Sequence, residues 1–79
     1  MEKKWNDFAK KHLLGKTIAS VRYMTKAECK NMYWESRPLA IFFTDGSYIF
    51  PSMDDEGNDG GTLFGRTSDG EDIAFPVLG

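Results

Sequence analysis

Positions 2–14 repeat apolar and polar residues at the period of a helix. Trp5, Phe8, Ala9, His12 and Leu13 fall on one stripe, while Lys3, Lys4, Lys10 and Lys11 fall mostly elsewhere. That spacing predicts a short amphipathic helix, with Gly15 as its C-terminal cap. The pattern then changes. "KTIASVRYM", residues 16–24, is β-branched and aromatic at alternating stretches and reads as a strand. Thr25 followed three residues later by Glu28 has the form of a capping box, in which each residue's side chain bonds the other's backbone N–H, so Lys26 to Met32 is expected to be two turns of helix carrying Cys29.

Two apolar runs flanking Asp45 and Gly46 in "RPLAIFFTDGSYIFPS" predict a β-hairpin. A two-residue primed turn closed by Thr44 and Ser47 would place Phe43 opposite Tyr48, Phe42 opposite Ile49 and Ile41 opposite Phe50. Leu39, Ile41, Phe43, Tyr48 and Phe50 would then share one face, and Ala40, Phe42 and Ile49 the other. Both faces are apolar, so the hairpin is expected to be covered on both sides, by a helix on one and a curled sheet on the other. "TLF" at 62–64 and "DIAFPVL" at 72–78 supply further strands, with "SDGE" as a turn between them. Pro76 confines the last strand to an edge or ends it. The expected fold is α+β: an N-terminal helix, a short second helix and an antiparallel meander curling into a small barrel or roll.

At 79 residues the chain is expected to form one domain with one small core. Its formal charge of −2 conceals a strong asymmetry along the sequence. Residues 1–39 carry nine Lys/Arg and four Asp/Glu, whereas residues 40–79 carry Arg66 alone against eight acids. Such segregation points to compensation within the fold, to head-to-tail contact between copies, or to a charged partner. Cys29 is the only cysteine, so no intramolecular disulfide is available, which favours a reducing compartment. The longest apolar run, "LAIFF", is too short for a membrane span, and the N-terminus lacks an apolar stretch of signal-peptide length. A cytoplasmic protein with no membrane association is expected.

Four groups of residues are candidates for chemistry. In "DDEGNDGG", Asp54, Asp55, Glu56 and Asp59 crowd together with Asn58 among glycines. The segment fits neither register of a calcium-binding EF-hand loop: counted from Asp55, position 12 is Arg66, and counted from Asp54 it is Gly65. It reads first as a glycine-shaped acidic surface, secondly as a dock for a basic group, and thirdly as an ion cage. The lysine-rich first helix could meet phosphates or an anionic surface, although Trp5 and Phe8 share its core-facing stripe. The eight acids of the second half argue against nucleic acid, as does the lack of a zinc-ligand pair or an aromatic RNA-binding signature. His12 and Cys29 would form a base and nucleophile only if the fold brought them together. Asp69, Glu71 and Asp72 would likewise need the acidic segment beside them for acid–base work. Trp34 and Arg37, in "NMYWESRP", are residue types enriched where proteins dock. The first reading of these residues, ahead of docking, is Trp34 as a lid on the core and Arg37 paired with one of the carboxylates.

Taken together, "GKTIASVRYMT", "RPLAIFFTDGSYIFPS" and "DDEGNDGGTLFG", within residues 15–65, resemble a family of small uncharacterised bacterial proteins, a domain of unknown function. The resemblance implies a stand-alone bacterial cytoplasmic domain and carries no activity, cofactor or catalytic residue with it. The sequence therefore leads to a non-enzymatic interaction module. Its docking residues would be Trp34, Arg37, Asp54, Asp55, Glu56, Asn58 and Asp59, its partner a basic protein or a second copy, and no cofactor is implied. The alternatives are a cation-dependent hydrolase or metal-binding protein using the same carboxylates, and an anionic-surface or nucleic-acid binder using the first helix.

Overall fold

The computed structural model describes residues 2–52 and 61–78. Along the chain, α1 (Glu2–Leu13) is followed by β1 (Ile18–Tyr23), α2 (Lys26–Asn31), β2 (Leu39–Phe43), β3 (Tyr48–Pro51), β4 (Leu63–Arg66) and β5 (Asp72–Phe75). The five strands form one antiparallel sheet in the order β1-β2-β3-β4-β5. This is the expected α+β class, with helix and strand positions near those read from sequence. It is not a barrel: among the described residues β1 and β5 remain edges and do not pair with each other. α2 lies against one face, and α1 lies against the β5 end of the other, leaving the β1 end of that face open.

Why the faces are shared out in this way follows from the register. Ile41 lies opposite Ile49 and Phe42 opposite Tyr48, one step from the pairing that a two-residue turn would give. The connection has three residues instead. Gly46 N–H donates to Phe43 C=O (3.1 Å), Phe43 N–H donates to Ser47 C=O (2.9 Å), and Gly46 has φ of +90°. These are the marks of a type I turn closed by a glycine bulge. Asp45 stays at negative φ and its carboxylate accepts from Ser47 N–H at 2.9 Å, which a primed turn would not arrange. The turn before β5 repeats the design: Gly70 (φ +91°) donates to Thr67, and Thr67 N–H to Glu71.

With the corrected register, one face holds Arg22, Ala40, Phe42, Tyr48, Phe50, Phe64 and Arg66, and the other Val21, Tyr23, Leu39, Ile41, Phe43, Ile49, Leu63, Ile73 and Phe75. On the first face, α2 closes a compact cluster in which Met24, Cys29 and Ala40 are buried and Trp34, Phe42 and Phe50 pack around them. Trp34 stacks nearly parallel to Phe64 (6.5 Å, 7°) and edge-on to Phe50 (6.0 Å). Geometries of this kind suit the ring quadrupole and add to the burial itself. On the second face, α1 lays Phe8 and His12 against Phe75, at 5.4 and 6.4 Å between ring centres. The half-buried residues of α1 are Trp5, Phe8, Ala9, His12 and Leu13, the stripe expected from spacing.

Polar contacts fix the joints. The capping box at α2 is present: Glu28 N–H donates to Thr25 Oγ1 at 3.1 Å and Thr25 N–H to Glu28 Oε1 at 2.8 Å. Arg22 grips both Glu28 oxygens, at 2.9 and 3.1 Å, tying β1 to α2. The Arg22 hydrogen bonds, followed by that from Thr25 N–H, hold the Glu28 carboxyl down at about 2. Lys16 reaches the hairpin turn, bonding Ser47 Oγ (2.9 Å) and pairing with Asp45 (3.1 Å). Asp45 is likewise lowered to about 2, chiefly by its bonds from Ser47 and then by Lys16.

Candidate docking site

The site is built where α2 ends. Met32 N–H and Trp34 N–H both donate to Cys29 C=O (3.0 and 2.9 Å), and Tyr33 N–H donates to Lys30 C=O (3.1 Å). This satisfies two of the last turn's orphan carbonyls and requires a left-handed residue just past the cap, usually glycine. Here that residue is Tyr33, at φ of +60° and 95% exposed. The bend turns Tyr33 into solvent and Trp34 into the core.

Beyond Trp34 the chain runs through Ser36 and Arg37 to Pro38, whose carbonyl receives Met24 N–H (2.9 Å) at the start of the β1–β2 pairing. Across from it lies the end of β3. Together Trp34, Ser36, Arg37, Pro38, Pro51 and Ser52 line an open, mostly apolar cleft of about 290 Å³. Ser52 N–H donates to Thr62 C=O (2.7 Å), which clamps the two chain ends that bound segment 53–60. The structure thus brings Trp34 and Arg37 together at the root of the acidic segment. Trp34 serves as lid of the core and, by its remaining surface, as one wall of the cleft. Asp54, Asp55, Glu56, Asn58 and Asp59 lie outside the described residues.

The other candidates separate. His12 sits over Phe75 on one face, and Cys29 is buried with Ala40 on the other, so the sheet stands between them and they form no catalytic pair. Asp72 is bound to Arg66 at 3.1 Å, and no group of three or more metal-ligating side chains occurs among the described residues. No helix among them is long and apolar enough to cross a membrane. The lysines of α1 are exposed, and Trp5 and Phe8 pack edge-to-face beneath them at 5.6 Å, in the half-buried stripe and not on the lysine surface.

One feature escaped the sequence. On the α2 face, Met32, Tyr48, Phe50, Phe64, Arg66 and Asp72 line a second cleft of about 370 Å³, with an aromatic floor and the Arg66–Asp72 pair at its rim. Its signal was the alternation in β3 and β4, but an offset of one residue in the hairpin sends Tyr48 to the wrong face relative to Phe42. The sequence matches no family model, and no similarity to a curated protein or to a solved structure was found.

Proposed function

We propose that the protein is a non-enzymatic docking module that takes a basic segment of a partner protein. An apolar or aromatic anchor of that segment would enter the cleft walled by Trp34, Pro38 and Pro51, and its Lys or Arg side chains would meet Asp54, Asp55, Glu56 and Asp59. The supporting observation is the cleft's place along the chain. Its wall includes Ser52, the last described residue before segment 53–60, so Asp54 follows the cleft by two positions in the sequence. Trp and Arg, both in the lining of this cleft, are among the residue types that contribute most to docking energy, and the segregated acids would speed encounter with a basic partner. On the resemblance and the lone buried Cys29, the setting would be the bacterial cytoplasm.

The test is calorimetric titration of the full chain with a Lys/Arg-rich peptide containing one Trp, at low salt and at about 0.5 M salt, where screening lengths shrink to a few Å. Saturable binding that weakens in salt and disappears on joint neutralisation of Asp54, Asp55, Glu56 and Asp59 to their amides is expected. Binding that ignores both changes would refute the reading. Melting with and without calcium, magnesium or manganese separates the rival: a cation at about 100 times its dissociation constant adds about 2.7 kcal/mol.

A further inference from the structure

We propose that β1 is an association edge, and that two copies of the chain pair there antiparallel to make one continuous ten-stranded sheet. This edge is the side of β1 away from β2, and none of the residues of β1 lines the docking cleft.

The backbone supplies the first argument. In an antiparallel ladder alternate residues bond their neighbour, and those between them point their N–H and C=O the other way. Met24 N–H bonds Pro38 C=O, and Arg22 opposite Ala40 and Ser20 opposite Phe42 are in step with that bond. Val21 and Tyr23 therefore direct their N–H and C=O out of the sheet. All six residues of β1 are exposed, and the strand contains no proline. The Tyr23 carbonyl accepts Arg22 Nη1 at 3.2 Å, which leaves it a second lone pair. A register shift between Ile18 and Ser20 disrupts the start of the strand, so the regular edge is Val21 to Tyr23.

Side chains supply the second argument. Val21 and Tyr23 remain 54% and 60% exposed on the face that α1 shares, beside Ile18 at 57% and Leu39 at 38%. The apolar face thus runs to the edge and stops. A second copy fits this edge because the edge complements itself. With the two-fold axis at Arg22, Val21 of each copy lies opposite Tyr23 of the other, an aromatic against a β-branched residue, which is a favoured cross-strand pair. On the reverse face the two Arg22 side chains approach, but each is already neutralised by both oxygens of its own Glu28. Symmetric closure of this kind limits growth to two chains. The regular edge is only three residues long on each copy, too short to reach the roughly 1,200 Å² at which stable interfaces begin, so a weak dimer is expected.

Sedimentation of the full chain from about 10 µM to about 1 mM, a span that brackets weak association, should show the mass rising from 8.9 kDa toward twice that value. Amide exchange at Val21 and Tyr23 should slow with concentration while that of Arg22 does not change. Val21→Pro removes an outward N–H, and Tyr23→Lys charges the apolar edge; each should hold the chain monomeric at about 1 mM with its circular dichroism retained, and Tyr23→Lys decides alone if the fixed φ of Val21→Pro keeps it from folding. A wild type that stays monomeric throughout overturns the proposal, as does a dimer that survives Tyr23→Lys or is dissolved by about 0.5 M salt, the mark of contact through the charged halves.

Discussion

Tyr33 holds a backbone conformation that residues other than Gly and Asn rarely adopt, and it is 95% exposed, so it returns little packing for that strain. The left-handed region costs a residue with a Cβ about 1–2 kcal/mol. Glycine avoids that cost but gives up roughly 0.5–1 kcal/mol in unfolded-chain entropy. Tyr33→Gly should therefore stabilise the fold by about 0.5–1 kcal/mol, and for a domain of this size raise the melting temperature by roughly 2–8 °C. Tyr33→Ala keeps the Cβ and should show little or no gain. Thermal melts of the two variants beside wild type decide the matter. Equal rises in both variants, or a fall on Tyr33→Gly, would show that the bend is not strained or that the exposed ring makes contacts worth keeping. If Tyr33→Gly proves more stable and also weakens capture of the basic peptide, the ring belongs to the docking surface.

Other perturbations test the packing and the charges. A Cβ on Gly65 would stand 2.5 Å from Tyr48 O and 2.9 Å from Ile49 Cγ2, with backbone on one side; Gly65→Ala should lower stability by about 1–3 kcal/mol in urea unfolding. Thr25→Ala removes the side-chain acceptor for Glu28 N–H at the head of α2 and should cost about 1 kcal/mol in the same assay. Glu28 and Asp45 both titrate near 2 in the fold, below their ordinary values of 4.5 and 3.8. A depressed carboxyl stabilises the fold above its unfolded pKa, so stability should be level from neutral pH to about 4.5 and fall as pH drops toward about 2. Glu28→Gln should flatten part of that fall, and carboxyl shifts followed by NMR should place both midpoints near 2.

Local chemistry made much of the fold readable. The stripe of α1 and the box at Thr25 and Glu28 each involve residues a turn apart, and both appear where spacing put them. The hairpin was also legible, but its offset was not. Asp-Gly serves a primed two-residue turn and a type I turn with a glycine bulge alike, and the choice rests on Asp45 bonding Ser47 and on Lys16, from before β1, reaching both. That distant lysine carries no sequence signal. A barrel was expected because strands apolar on both faces need two covers, and nothing in a strand's pattern says whether a cover is a helix or more sheet. At the site, Trp34 and Arg37 stood out by residue type. Their meeting with Pro51 and Ser52 depends on the path of β3, which spacing could not give.

The strand order has a consequence for how the chain reaches this fold. Each strand lies beside its neighbour in sequence, so three of the four pairings close through connections local to the chain, and the hairpin of β2 and β3 can form before anything else is in place. The β1–β2 pairing encloses α2 and has the widest span of the four, from Tyr23 to Leu39 at its nearest pair, wider than Pro51 to Leu63 in β3–β4. Fast assembly is the rule for topologies built from near neighbours. The slowest event should be docking of β1, since it waits on α2 and its cap, and substitutions at Thr25 should slow refolding more than those in β5.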